Sequence, residues 1–177
     1  MQQFDLNDFV RAMRDAAKAT DAPSQVRSVM EAAFKHPSAI KAAMSSFSGE
    51  GEVLFEDETV SIWYCGFEPD THIPPHDHQT TATIGVYEGA ENNHFYRVDA
   101  NHLEHKSTRC LKPGDVISVG PNAIHSVETA NAAASYGIHV YLAPLTKVER
   151  SLFDWDTGAA VPFTDKGFEE MKRPSTV

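Results

Sequence analysis

His76 and His78 stand two residues apart in PPHDHQTTATIGVYEG, just ahead of an apolar run that reads as a β-strand. Extended backbone sends successive side chains to opposite faces, so this spacing aims both imidazoles one way and Asp77 the other. Two imidazoles on one face can grip one divalent ion. An exposed polar turn after Pro74 and Pro75 would carry the same residues, so the pair by itself leaves both readings open. A second segment, KPGDVISVGPNAIHSVETA, runs from a Gly-Asp turn through a strand and a Gly-Pro-Asn turn to His125, which heads the next strand and can bring in a third imidazole. In ASYGIHVYL a single strand would place Tyr136, Ile138, Val140 and Leu142 on an apolar face, with Ser135, Gly137, His139 and Tyr141 on the other. That second face is either a chemical one or an ordinary hydrogen-bonded barrel or edge surface.

The elements that must position these residues follow from periodicity. Between Phe4 and Phe47 apolar residues recur at helical spacing, in one stripe of Leu6, Phe9, Val10 and Met13 and another of Val26, Val29, Met30 and Ala33. Pro23 suits a helix start, and Pro37 ends one helix and opens a short third, so two or three helices are predicted. Beyond Gly49 come short runs rich in Val, Ile, Thr and aromatics, parted by Gly, Pro, Asn and Asp, with no helix between them: a β-sandwich or barrel. The expected organisation is one domain over 1–177: a helical segment at 1–48, a β-barrel at 49–145 and an irregular tail at 146–177 whose scattered aromatics pack over one barrel end, with frayed final residues. His36, His72, His94, His102 and His105 read as non-ligands; His102 and His105 fall on a hairpin rim, and His36 at a helix end.

A net charge of −10 argues against nucleic acid as a partner, because phosphate-tracking surfaces gather Lys and Arg. Nothing approaches the roughly 20 apolar residues of a membrane helix, and the start MQQFDLNDFVRAMRDAAK lacks the basic-then-apolar order of a secretory signal. A cytoplasmic protein handling small molecules is expected, with Cys65 and Cys110 as buried, reduced thiols. An open barrel edge or the aromatic tail offers a surface for homo-oligomer formation.

The two histidine segments resemble the two cupin motifs. H-x-H and the later Gly89 match the first, and the spacing from Gly114 to His125 matches the second. The acidic ligand of the first motif, expected near Ala82 or Thr83, is missing, and Gly120 and Asn122 stand where proline and glycine are usual. A neutral three-histidine set resembles the thiol dioxygenases of that superfamily, the cysteine and 3-mercaptopropionate type. ASYGIHVYLAPLTKVERSLF resembles their Ser-x-His-x-Tyr segment with its downstream carboxylate-binding arginine. His139, Tyr141 and Arg150 match, while Gly137 replaces the serine, leaving the outer hydrogen bond on the histidine to water or Ser135.

The resemblance implies an all-β core, a double-stranded β-helix (cupin) barrel preceded by two or three α-helices. It implies Fe(II) held by His76, His78 and His125, with Zn, Ni or Mn as other ions the set could load. Tyr141, positioned by His139, would donate a hydrogen bond, Arg150 would grip a substrate carboxylate, and the reactants would be a small thiol and O2. Two other functions fit the same residues: a zinc hydrolase or hydratase, and a non-catalytic metal-containing cupin that binds a small ligand, for which Gly137 is the indication. An arginine after the last strand is also, most simply, a surface charge.

Overall fold

The computed structural model describes residues 3–177. Helix α1 (Leu6–Ala17) begins where the Asp5 carboxylate accepts the Asp8 N–H at 2.9 Å. Helices α2 (Ala22–Phe34) and α3 (Pro37–Ala43) each carry proline in the first turn, where its missing N–H is no loss. Together the three helices press Phe9, Met13, Val26, Met30, Phe34 and Ile40 into one buried cluster with Ile62, Tyr64, Ile138 and Val140 of the β-sheet beneath.

The strands are β1 (Gly51–Glu56), β2 (Ser61–Phe67), β3 (Thr71–His76), β4 (Ala82–Glu88), β5 (Glu91–Asp99), β6 (His102–Leu111), β7 (Val116–Val119), β8 (Ile124–Thr129), β9 (Ser135–Tyr141), β10 (Ser151–Phe153) and β11 (Ala160–Pro162). Helix α4 (Asp165–Met171) and a short β12 (Arg173–Pro174) close the chain. One sheet runs β1-β2-β9-β4-β7; the other runs β11-β10-β3-β8-β5-β6, with β12 also on β3. Every pairing is antiparallel, and from β2 to β5 and again from β7 to β9 the chain crosses to the facing sheet at each successive strand. That winding makes the core a double-stranded β-helix preceded by three α-helices.

Two local features shape the interior. The register of β3 on β8 breaks between Ile73 and His76, where Pro74 and Pro75 have no N–H for the ladder, and re-forms with His76 opposite His125. Gly89, at φ +72°, turns β4 into β5, and a Cβ there would lie 2.2 Å from the Ala134 carbonyl oxygen.

The segment beyond residue 145 differs from the irregular, frayed tail expected. It contributes β10, β11, α4 and β12, and its end is tied down: the Glu128 carboxylate accepts from Ser175 Oγ, Thr176 N and Thr176 Oγ1 at 2.6–2.8 Å. The tail holds together through partners remote in sequence, which a reading of local pattern does not see. Cys65 and Cys110 are free, but Cys110 is exposed on β6, against the expectation that both are buried. Among the described residues no helix is long and apolar enough to cross a membrane.

Candidate metal centre

His76 ends β3, His78 lies in the link to β4, and His125 sits near the start of β8. The extended spacing of the first two and the His76–His125 strand register bring the three imidazoles together, each offering a nitrogen within 4.8 Å of the others. His78 and His125 are 1 % exposed and His76 is 8 %.

Hydrogen bonds orient two of the rings. His76 Nδ1 donates to the Pro74 carbonyl at 2.9 Å and His125 Nδ1 donates to Asn93 Oδ1 at 3.0 Å; both acceptors are assigned as oxygen, so each Nε2 is left with its lone pair free. His125 Nε2 meets His78 Nε2 at 3.5 Å, while the buried Nδ1 of His78 has no partner among the described residues. Burial pulls all three below the usual histidine range, His76 to about 4, so they are neutral at pH 7. Neutral imidazoles with converging Nε2 atoms, two of them fixed by outer-shell acceptors, form a donor set that fits a divalent cation. No carboxylate joins them: buried Ala82 stands where an acidic ligand was expected, and Thr83 Oγ1 turns to Ser118.

Asp77 points away from the imidazoles, as the period-2 spacing requires. Its oxygens accept from Ser151 N at 2.9 Å and Gln79 Nε2 at 2.6 Å, and its own N–H donates to the Ser151 carbonyl. This clasp fixes the start of β10 and with it Arg150. Arg150 lines the same cavity as the three histidines, is half-buried, and among the described residues joins no ion pair; its guanidinium lies 3.6 Å from the centre of the Phe163 ring. The sheet alternation in β9 puts His139 and Tyr141 on the cavity wall, with Ile138 and Val140 under the helices. His139 Nδ1 and the Tyr141 hydroxyl are 3.3 Å apart. Burial lowers His139 to about 3 and raises Tyr141 well above its ordinary value, so both are neutral.

The cavity, about 340 Å³, is also lined by Trp63, Cys65 and Phe67 of β2, by Phe163 and Phe168 of the C-terminal segment, and by the acidic residues Glu50, Asp165 and Glu169. Among the described residues two buried nitrogens in its wall, Trp63 Nε1 and His139 Nε2, have no hydrogen-bond partner. Ser135 does not supply the bond missing on His139; its hydroxyl faces the Glu88 carbonyl and Glu91. Nor would position 137 accept a serine unchanged, since a Cβ there would stand 2.6 Å from the Gly85 carbonyl oxygen of the neighbouring strand.

Sequence reasoning missed Asn93 and the clasp by Asp77. Asn93 carried no signal, being one of two asparagines in a polar strand. His72 and His94, read as bystanders, meet Glu128 on the outer face of β3, β8 and β5, with His94 Nε2 at 3.0 Å and His72 Nδ1 at 3.6 Å from its oxygens. Their other nitrogens bond Ser126 Oγ and Thr108 Oγ1, and the carboxylate is saturated by the chain terminus. This group is a hydrogen-bonded anchor for the tail.

No protein-family model matches the chain, and no curated protein matches it in sequence. Solved structures are similar to part of the chain. An uncharacterised protein with a double-stranded β-helix domain from Klebsiella pneumoniae is 20 % identical over 60 % of this chain and 86 % of that one, with a TM-score of 0.48. The DMSP lyase DddQ from Ruegeria pomeroyi is 13 % identical over 55 % of this chain and 48 % of its own, with a TM-score of 0.46. Oxalate decarboxylase from Bacillus subtilis, a protein with Mn(II) centres, is 20 % identical over 55 % of this chain and 27 % of its own, at 0.45.

Proposed function

We propose that the protein is a mononuclear non-haem iron(II) dioxygenase that oxidises a small mercapto-acid to its sulfinate. The carrying observation is that one cavity holds a neutral three-imidazole set, the His139–Tyr141 pair and an arginine that joins no ion pair among the described residues. In the overall change, R–SH + O2 → R–SO2H, both atoms of dioxygen pass to sulfur and no other reductant is needed. A ferrous ion, when bound, supplies the site at which a thiolate and dioxygen come together and the electrons that activate the oxygen.

The chain's own residues do the rest. His76, His78 and His125 leave the charge of a divalent ion uncompensated, which favours an anionic thiolate. Arg150 receives the carboxylate, a charge-assisted contact contributing about 1.5–3 kcal/mol. Its stacking on Phe163 presets the planar fork. With His139 Nδ1–H donating to the Tyr141 oxygen, the phenol hydrogen is free to point into the cavity and donate to substrate oxygen or carboxylate. Trp63, Phe163 and Phe168 thin out the water around the reacting sulfur.

The test is oxygen consumption by anaerobically Fe(II)-loaded protein given 3-mercaptopropionate, cysteine or cysteamine. Uptake with the two acids, less with cysteamine, and none in His125→Ala is expected; Tyr141→Phe should turn over more slowly with unchanged iron content. No uptake with iron verified in place sinks the proposal, and stoichiometric zinc in the isolated protein would then turn attention to hydrolysis.

A further inference from the structure

Inside the barrel, between β5, β8 and β9, runs a chain of buried polar groups that meets the cavity only at His125. Glu91, Asn93 and Ser135 are 0 % exposed and His125 is 1 %. Glu91 Oε1 accepts from Asn93 Nδ2 at 2.9 Å, Asn93 Oδ1 accepts from His125 Nδ1 at 3.0 Å, and Glu91 Oε2 faces Ser135 Oγ at 3.4 Å. A buried carboxylate without a cation costs stability, and an apolar pair in these two strands would pack at no such cost. Its presence there calls for a reason.

The order of donors and acceptors supplies it. Glu91 Oε1 is an acceptor whether the group is ionised or protonated at Oε2, so the Asn93 amide must turn its NH2 toward Glu91. The amide oxygen then has to face His125, and only an Nδ1–H can satisfy it. The His125 proton is thereby held on Nδ1 and its Nε2 lone pair points to His76 and His78. Without the carboxylate the amide is free to flip, and an NH2 facing Nδ1 would drive the proton to Nε2, where it blocks a cation.

We propose that Glu91 and Asn93 are a positioning relay that sets the tautomer and orientation of His125 for cation binding. The inference rests on His76, His78 and His125 being a cation site, and it adds a second layer that the ligands' own geometry does not require.

Co(II) binding to the full chain tests it, read by chelator competition and by the visible ligand-field spectrum. The wild-type protein should take one Co(II) and His125→Ala should lose it. Asn93→Leu and Glu91→Leu should weaken Co(II) by about 10–100-fold, the range for outer-shell partners, and alter the spectrum. Glu91→Gln keeps an acceptor for Asn93 and should stay within about tenfold of wild type with its spectrum. The double variant Glu91→Gln/Asn93→Asp is decisive, because it reverses the 91–93 bond yet keeps an oxygen acceptor for His125 Nδ1–H, moves the carboxylate next to His125 and is close to isosteric. It should bind at least as tightly as wild type, a rescue that packing alone would not produce. Folded Asn93→Leu or Glu91→Leu protein with wild-type affinity and spectrum overturns the relay, as does a double variant that binds no better than Asn93→Leu. If wild type itself takes no Co(II), or His125→Ala binds it equally well, the cation-site reading is what fails.

Discussion

Replacing Glu91 by glutamine should stabilise the protein, and the gain should appear only as pH rises. Burial lifts the Glu91 carboxyl from 4.5 to about 7, against the lowering effect of the Asn93 and Ser135 hydrogen bonds. The folded state therefore holds this proton more tightly than the unfolded chain does, and stability falls as pH climbs from 4.5 toward 7. At 1.36 kcal/mol per pH unit, ionising the buried group costs about 1 kcal/mol at pH 5.5 and about 3 kcal/mol by pH 8. Glutamine keeps the acceptor for Asn93 Nδ2 and offers an N–H to Ser135, so it relieves the charge without orphaning either partner. Urea unfolding of both proteins in EDTA, followed by tryptophan fluorescence from pH 4.5 to 8.5, measures the difference. The variant should be nearly equal to wild type at the acid end and more stable by about 3 kcal/mol at the alkaline end. A difference that stays flat with pH, or a variant less stable at pH 8, refutes the claim that this carboxylate is held at a cost. With the Co(II) experiment, the pair of results would describe a residue that lowers stability and raises metal affinity.

Arg150→Gln should lower kcat/KM for mercapto-acids by about 10- to 150-fold, the equivalent of about 1.5–3 kcal/mol, and leave cysteamine almost unaffected; equal losses on both thiols would remove the carboxylate role. Gly137→Ser, which restores the serine of the resembled triad, should cost about 1–3 kcal/mol in thermal or urea unfolding, because its Cβ meets the Gly85 carbonyl; unchanged stability would mean that β4 and β9 separate easily. Glu128 is held down to about 2 by its hydrogen bonds from Thr176 and Ser175, which outweigh the raising effect of burial. Its stabilising contribution is therefore present above the ordinary carboxyl value and lost as pH falls through about 2. Glu128→Gln should speed amide hydrogen exchange at Thr176 at neutral pH, and protection equal to wild type would show that β12 pairing alone anchors the terminus.

The barrel was legible because its strands announce themselves as short β-branched and aromatic runs closed by turn residues, and the helices because apolar residues recur at helical spacing and proline marks the first turns of α2 and α3. Period-2 alternation correctly divided β9 into a helix-covered apolar face and a cavity face, and sent Asp77 away from its neighbouring histidines. The tail was not legible. Its order depends on Asp77 gripping Ser151, Lys172 pairing with Glu50, and Glu128 receiving Ser175 and Thr176, contacts spanning 47 to 122 residues of chain that leave no local pattern.

Within the site the same division holds. The sequence by itself determined which side chains could face inward, since alternation along a strand is a property of extended backbone and needs no partner. It also determined the absence of a carboxylate among the candidate ligands, because Ala82 and Thr83 have none to offer. Only the tertiary structure decided that His76 and His125 stand opposite each other, through the register that Pro74 and Pro75 interrupt and that β8 restores. Only it could choose the proton positions, because His125 is oriented by Asn93 and Asn93 by Glu91, residues more than 30 positions away from it in the chain. Side-chain direction is a local consequence of backbone geometry, whereas register and hydrogen-bond order are settled between strands, after the chain has folded.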